Sequence, residues 1–320
     1  MGAGASERWR AVRRAVGADP VRVGRVLQTY DRSAYLELDP DLTEAVSTPG
    51  PSLVLVGDQS FSGPLAMQLR PAAPGGFSAE RLTADADCQL RSSGGETVVS
   101  IGAAIEVVFD DAVLATGDGT VDRVTPITEI DRGDPVWEAN RAILAWAIDD
   151  GLEDGLGWLE ALAAIVAGEA ADHDLRSVAA AWRTVLAGDG PPEPAGAAAI
   201  LGRGPGATPS GDDVLSGLLL ASWATTAGRR PRVRRAGTAL VDRALEATTT
   251  VSAALLAQAA VGRAGDAVAA ALEALLAASV PMERRRAAVT RVTSLGHTSG
   301  TDMLVGLLAM VLLVAPAIEA

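Results

Sequence analysis

The chain has 320 residues, of which 48 % are hydrophobic and only 3 % aromatic, so its core must consist mainly of Ala, Leu and Val. The formal net charge of −13 argues against general binding of nucleic acids or of anionic membrane surfaces. One cysteine, Cys88, excludes an internal disulfide and a cysteine-based zinc site. All 27 basic residues are arginines, which excludes P-loop, Schiff-base and general-base lysines.

The first part of the chain has the pattern of a β-rich domain, with short apolar segments separated by Gly, Asp and Ser turns. We predict an amphipathic helix over residues 6–17, with Trp9 on its buried side and Arg8 among its solvated residues. The predicted strands cover residues 21–38 as a pair, then 52–56, 87–90, 97–101, 104–109 and 113–116. These elements predict a small barrel or sandwich in a domain of residues 1–133.

The pattern changes near Asp131, and from Val136 onward the apolar spacing is mostly helical. The predicted helices cover residues 137–149, 152–169, 175–187, 195–201, 212–227, 237–261, 264–279 and 282–293, followed by a final helix. Gly155 and Gly157 are candidate breaks in the second of these helices. We therefore predict an α+β protein, in which an all-α domain of residues 134–320 follows the β-rich domain.

Two segments suggest the location in the cell. Residues 1–20 are polar and rich in arginine, without the apolar centre of a secretory signal, so we expect a cytoplasmic protein. The apolar run over residues 303–318 is only 16 residues long and contains Pro316. This length favours a buried helix over a membrane span.

One polar segment, residues 202–213, has a second copy near the end of the chain. Residues 208–219 and 297–308 share seven identities in twelve positions, in the order Ser-Gly-x-Asp-x-Leu-x-Gly-Leu-Leu. In both copies Ser, Thr and Asp precede an apolar run, which is typical of a helix start. Gly217 and Gly306 lie inside the helices, where glycine costs about 1 kcal/mol relative to alanine, and this favours close helix packing.

We therefore hypothesise that two related helix starts face a shared polar site. Free N–H groups at helix N-termini attract anions, and Gly211 and Gly300 would let a ligand approach the backbone. The alternative is two ordinary capped helices of a duplicated hairpin. Residues 206–211 have the spacing of a P-loop, but Asp212 and Asp213 stand where Lys-Ser/Thr is required, so a Walker A loop is excluded.

The candidate catalytic residues are His297 and Asp213. His297 lies inside the second copy and could act as a general acid or base, or it could be a capping or buried neutral histidine. A Ser210–His297–Asp213 triad lacks the context of a nucleophile elbow. The carboxylates could cap helices, contact a ligand or hold Mg²⁺, so we assign no metal ligand and leave Mg²⁺ open as a cofactor. The other histidine, His173, is expected to have no catalytic role.

Further residues of these segments are candidates for substrate binding, because they carry hydroxyls, carboxylates, free backbone or a guanidinium. Arg203 suits a carboxylate or phosphate, and Thr249 belongs to a run of hydroxyls, residues 248–252, that opens a helix of small residues. That run could instead bond back to its own helix. The candidates are Arg203, Gly206, Thr208, Ser210, Gly211, Asp212, Thr249, Thr298, Ser299, Gly300 and Asp302.

These motifs resemble those of a known family. Gly-x-Gly-x-Thr-Pro-Ser-Gly-Asp-Asp-x-Leu-x-Gly over residues 204–217, the hydroxyl-rich segment 248–262 and Gly-His-Thr-Ser-Gly-Thr-Asp-Met-Leu-x-Gly over residues 296–306 resemble the motifs of a bacterial family that includes AllH. The resemblance covers about residues 200–308, and Ala207 departs from it, since a bulky apolar residue is usual there. AllH is a subunit of the oxamate carbamoyltransferase of anaerobic allantoin degradation.

The resemblance implies a role in carbamoyl transfer between oxalurate and phosphate, which gives oxamate and carbamoyl phosphate. It also implies FdrA-like and AllG-like partner subunits and a small anionic substrate. Many members of the family lie outside allantoin pathways. Two functions follow as hypotheses: a subunit of a carbamoyltransferase-type enzyme with its site between the paired loops, or a non-catalytic assembly or ligand-sensing subunit that uses arginine clusters (residues 229–235 and 284–286) for docking.

Overall fold

The computed structural model describes residues 3–16, 18–30, 33–43, 50–57, 65–68, 82–93, 96–102, 105–110, 130–169, 174–188, 195–225 and 227–317. The chain divides into two compact units, residues 1–119 and 120–320. The domain boundary predicted near residue 133 stays a prediction, because residues 111–129 are outside those described. The predicted strand over residues 113–116 and His173 also lie outside the described residues.

The first unit is built on one seven-stranded sheet with the strand order β4-β3-β2-β1-β5-β6-β7. Neighbouring strands are antiparallel except for β3 and β4, which are parallel. The strands are β1 (Val21–Tyr30), β2 (Ser33–Leu38), β3 (Leu53–Gly57), β4 (Ala66–Gln68), β5 (Asp87–Ser93), β6 (Glu96–Ile101) and β7 (Ile105–Asp110). The predicted strand pair over residues 21–38 is the β1–β2 hairpin.

Helix α1 (Ala3–Ala15) supplies the apolar cover of this unit's core. Trp9 and Val12 are fully buried in one cluster with Val26 and Leu36 of the sheet, as the helical spacing predicted. Arg8 was predicted to be solvated, and this is wrong. The side chain of Arg8 is fully buried, and its Nη2 donates to the carbonyl oxygen of Pro51 at 3.0 Å.

The second unit consists of helices. Helix α2 (Pro40–Thr43), four residues long, belongs to the first unit. The helices of the second unit are α3 (Pro135–Asp149), α4 (Trp158–Ala167), α5 (Asp174–Ala187), α6 (Ala195–Ala198), α7 (Ser210–Thr225), α8 (Arg230–Ala247), α9 (Thr250–Ala260), α10 (Asp266–Leu276), α11 (Met282–Thr293) and α12 (Ser299–Ala309). A π-helical turn, Met310–Val314, and a 3₁₀ turn, Ala315–Ala317, follow α12. The prediction of a β-rich part followed by an all-α part is confirmed.

The break that Gly155 and Gly157 predicted within residues 152–169 is confirmed, because α4 begins only after Gly157. Asp154 accepts hydrogen bonds from the backbone N–H groups of Trp158 and Leu159 at the start of α4. Another helix prediction needs correction. The predicted helix 237–261 is interrupted, because Thr248 is extended and Thr249 caps a new helix by accepting from the N–H of Ser252 at 3.0 Å. Local apolar spacing continued across this interruption and therefore hid it.

Helix α7 is the centre of the second unit. Every residue of α7 except Trp223 is buried, so the helix is surrounded by protein on all sides. Residues 304–314 of the final apolar segment are also buried, which confirms that segment as a buried helix. Within the described part of the chain, no helix has the length and apolarity that a membrane crossing requires.

Candidate functional site

Helices α7 and α12 cross at their glycines. A Cβ atom added to Gly217 would lie 2.1 Å from the carbonyl oxygen of Met303, and one added to Gly306 would lie 2.0 Å from that of Val214. Met303 and Val214 are themselves equivalent in the two sequence copies, so the contact is reciprocal. This confirms that the glycines serve close helix packing, and it brings the two helix starts side by side.

The polar residues of the two starts also pair reciprocally. Ser299 of the second copy hydrogen-bonds to Asp213 of the first, and Ser210 of the first hydrogen-bonds to Asp302 of the second. The hydroxyl oxygens of Thr208 and Ser299 are 2.8 Å apart and join the two loops directly. The structure therefore forms from both copies one polar cluster, which contains Thr208, Ser210, Asp213, Thr298, Ser299 and Asp302; we call it the paired-loop site.

The carboxyl groups of this site are buried. Asp213 is 4 % exposed and Asp302 is 0 % exposed. Burial raises the pKa of Asp213 well above its usual value; hydrogen bonding from Ser299 and Thr208 opposes the rise, whereas the charges of Asp302 and Asp212 add to it. Burial also raises the pKa of Asp302, against hydrogen bonds from the Gly155 backbone, Ser210 and Thr298. Both groups are therefore biased toward the protonated, uncharged form.

Asp212 has a different environment from its neighbour. Its Oδ1 accepts a hydrogen bond from the backbone N–H of Gly202 at 2.8 Å. Its Oδ2 accepts from the hydroxyls of Ser252, at 2.7 Å, and Thr248. Asp212 thus ties the glycine-rich loop and the start of α9 to α7, and both of its oxygens are occupied by the protein itself.

The turn before α4 contributes a residue that the sequence analysis treated only as a helix breaker. The backbone N–H of Gly155 donates to Oδ1 of Asp302 at 2.9 Å. A Cβ atom on Gly155 would lie 1.7 Å from Oγ of Ser210, so only glycine fits this close approach. The Asp-Gly-Leu-Gly sequence of residues 154–157 signals a capped turn, but nothing in it indicates contact with residues 210 and 302.

The expected role of Gly211 and Gly300 needs correction. Each was predicted to leave space for a ligand at the backbone. The space is instead filled by the protein, because a Cβ atom on Gly211 or on Gly300 would lie 1.9 Å from the carbonyl oxygen of Ile200 or of Val292 respectively. These two glycines allow the preceding helical segment to pack on each helix start. Gly206, with φ of 98°, is the glycine of the loop that faces open space and is exposed.

The remaining predicted site residues lie around this cluster. Thr249 caps α9, and its hydroxyl donates to the carbonyl oxygen of Ala207, so it supports the loop. The guanidinium of Arg203 forms an ion pair with Asp174 and is about half exposed. His297 is exposed, and among the described residues it has no hydrogen-bond or ion-pair partner. The structure thus brings Thr208, Ser299 and Asp213 together and leaves His297 and Arg203 without a bond to them.

The described residues contain no group of three or more His, Cys, Asp or Glu side chains placed to hold a metal ion. The arginine clusters have mainly structural contacts. Arg230 stacks on Trp223, Arg232 donates to the carbonyl oxygen of Leu186 at 2.6 Å, and Arg286 stacks on Trp146. Arg285 is 1 % exposed and donates to carbonyl oxygens at the end of α10, so its side chain is not exposed for docking.

Residues 200–311 match the family model described as oxamate carbamoyltransferase subunit AllH. The match covers about a third of the chain and includes both loops of the paired-loop site, α7 and the helices up to α12. No solved structure matches this chain. The resemblance to the AllH family that the sequence motifs indicated is confirmed over this segment, which is the segment that contributes most of the paired-loop site.

Proposed function

We propose that this protein is an AllH-like subunit of a carbamoyltransferase-type enzyme, and that its paired-loop site binds a small anion bearing an amide, of the oxamate, oxalurate or carbamoyl phosphate class. The observation that carries the proposal is the overlap between the family match and the paired-loop site. The segment similar to AllH, residues 200–311, is also the segment that supplies the six residues by which the paired-loop site is defined. The proposed partners are FdrA-like and AllG-like subunits.

The site suits an amide better than a bare phosphate. The first turns of α7 and α12 already hold the carboxyl groups of Asp212, Asp213 and Asp302, where a free helix N-terminus would attract an anion. Carboxyl oxygens accept hydrogen bonds from amide N–H groups. Because both oxygens of Asp212 are occupied, Asp213 and Asp302 are the acceptors available to a ligand.

The raised pKa of Asp213 suits a general acid. In carbamoyl transfer from oxalurate, a phosphate oxygen forms a bond to the carbamoyl carbon, and the bond from that carbon to the oxamate nitrogen breaks. The oxamate nitrogen then takes up one proton, which the protonated carboxyl of Asp213 would supply. His297, on the loop before α12, is exposed and can reach a substrate or a partner subunit.

A non-catalytic assembly or ligand-sensing role is the second candidate. It is favoured by the reciprocal hydrogen bonds, through which the chain satisfies the Ser210 and Ser299 hydroxyls itself. It is also favoured by the position of His297, which lacks a hydrogen bond to any described residue that would orient it as a catalyst. In this reading the site transmits ligand occupancy to partner subunits.

Reconstitution separates the two candidates. The protein is combined with FdrA-like and AllG-like subunits, and carbamoyl phosphate formation from oxalurate and phosphate is measured with and without Mg²⁺. We expect Asp213→Asn to lower kcat at least about 100-fold, within the range of general acid catalysis. Asp242→Asn on α8, an exposed position with the same charge change, should retain activity. Full activity of Asp213→Asn and His297→Ala complexes would support the assembly role, and no activity of the native complex would refute the transferase proposal.

A further inference from the structure

Two buried carboxyl oxygens of the paired-loop site have no hydrogen-bond partner. They are Oδ2 of Asp213 and Oδ2 of Asp302, and neither is bonded to any residue that the structure describes. The two residues occupy equivalent positions of the sequence copies, so an unpaired carboxyl oxygen occurs at the same position of each copy. Asp212, next in sequence to Asp213, has both oxygens occupied.

Unpaired oxygens at such positions are costly. A buried polar atom without a partner loses its hydration and gains nothing in return, at about 1–3 kcal/mol. The nearby donors are already in use: the Thr208 and Ser299 hydroxyls bond to each other and to Asp213, and the Ser210 and Thr298 hydroxyls and the N–H of Gly155 bond to Asp302. Two costs of this kind, at equivalent positions of the two helix starts, indicate atoms kept free for a ligand.

The charges of the site determine which ligand fits. Asp213 and Asp302 interact electrostatically, and Asp212 and Asp154 add negative charge on either side. Among the described residues no cation is paired with these carboxyls: Arg203 of the first loop is paired with Asp174, and His297 of the second loop is exposed. The charge of Asp302 adds to the rise in the pKa of Asp213, so ionisation of both carboxyls is disfavoured. A pair that shares one proton offers one O–H donor and one anionic acceptor.

We propose that Asp213 and Asp302 form a carboxyl pair that binds the neutral primary amide of the ligand, with one oxygen accepting its N–H and the other carboxyl donating to its carbonyl oxygen. A primary amide presents these two groups side by side in one plane, so it complements an acid–carboxylate pair. A carboxylate or phosphate presents acceptors alone and meets repulsion. This inference rests on the proposed function and specifies which end of the substrate the site recognises.

The residues that bond to Asp213 lie close in sequence to exposed positions. Thr208 and Ser299 are partly buried, whereas Gly206 and His297, two positions earlier in the same loops, are exposed. A ligand would displace the hydrogen bond between Thr208 and Ser299 as it enters.

Oxamate and oxalate form a matched pair of probes, since they differ in one amide that replaces one carboxylate. Their binding to the full chain is measured by calorimetry and thermal shift near pH 7. We expect oxamate to bind on the order of tenfold or more tightly than oxalate, because loss of the amide leaves the buried carboxyl unpaired. Asp213→Asn and Asp302→Asn should abolish this preference, while Asp242→Asn should keep it.

The outcomes separate this inference from the proposed function. Equal binding of oxamate and oxalate would overturn amide recognition but leave a small-anion site intact. If neither they nor carbamoyl phosphate or phosphate bound, both proposals would fail. Infrared difference spectra provide a second measurement: a protonated-carboxyl band near neutral pH that disappears in Asp213→Asn or Asp302→Asn is expected, and its absence from the native protein would contradict the acid–carboxylate pair.

Discussion

A side-chain carbon on Gly217 would lie 2.1 Å from the carbonyl oxygen of Met303, so α7 and α12 meet through backbone rather than through side chains. The equivalent contact of Gly306 with Val214 makes the crossing nearly symmetric. This crossing sets the distance between the two helix starts. The geometry of the paired-loop site therefore depends on two glycines that lie more than a helical turn away from its carboxyls.

We expect Gly217→Ala and Gly306→Ala to destabilise the protein by about 1–3 kcal/mol, because the added carbon forces two buried helices apart. Alanine gains about 1 kcal/mol in helix propensity, so the measured loss is what remains after this gain. Urea unfolding measures the change. Gly228→Ala is the matched control, since no atom lies within 4 Å of its added carbon, and it should change stability by less than about 0.5 kcal/mol. Neutral effects at residues 217 and 306 would refute the close crossing.

Gly155→Ala tests the contribution of the α4 turn to the site. The new carbon would lie 1.7 Å from Oγ of Ser210, so the turn must shift and its N–H must leave Asp302. We expect a destabilisation of about 1–3 kcal/mol. In a double-mutant cycle, adding Ser210→Ala should relieve part of the clash, so the two changes should not be additive. Strict additivity would show that residues 155 and 210 are not in contact.

Asp212→Asn should destabilise the protein without depending on a ligand. The native carboxylate accepts from Gly202, Thr248 and Ser252, and an amide nitrogen in place of one oxygen would face a donor. We expect a loss of about 1–3 kcal/mol, measured by urea unfolding. Thr248→Val removes one donor only and should cost less. A stability equal to that of the native protein would mean that Asp212 does not hold the loop.

The stability of the protein should depend on pH through Asp213. Because folding raises the pKa of Asp213, the folded state keeps a proton that the unfolded chain has already lost. The contribution of this group to stability is thus fully present below about pH 3.9 and is lost as the pH rises through the raised folded-state pKa. Asp213→Asn lacks this loss, so its stability relative to the native protein should increase as the pH rises from about 4 toward neutrality.

Urea unfolding of both proteins at several pH values measures this difference, and the other titrating groups cancel in it. Asp242→Asn removes the same charge at an exposed position of α8, and it should differ from the native protein by less than about 0.5 kcal/mol throughout. A constant difference between Asp213→Asn and the native protein across this range would contradict the raised pKa of Asp213.

Many residues of the site could be predicted from the sequence, but the contacts between them could not. The repeat of Ser-Gly-x-Asp identified both helix starts, and Gly217 and Gly306 indicated close packing. Nothing in either copy showed that Ser210 would bond to Asp302 and Ser299 to Asp213. A reciprocal arrangement of this kind follows only when the two helices cross, because the residues of each pair are far apart in the sequence.

Local sequence was enough to predict the order of a β-rich and an all-α part, the bounds of α11, the two helix starts and the resemblance to AllH. These features depend on local spacing, on capping residues and on identities within short segments, all of which can be seen in the sequence without the fold. Three results became visible only in the folded protein. Both oxygens of Asp212 accept hydrogen bonds, while one oxygen of Asp213 accepts none. Gly155 contacts the site, and Arg8 and Arg285 are buried. Each of these outcomes depends on which residue, distant in the sequence, becomes the hydrogen-bond partner. The spacing of residues along the sequence does not specify that partner.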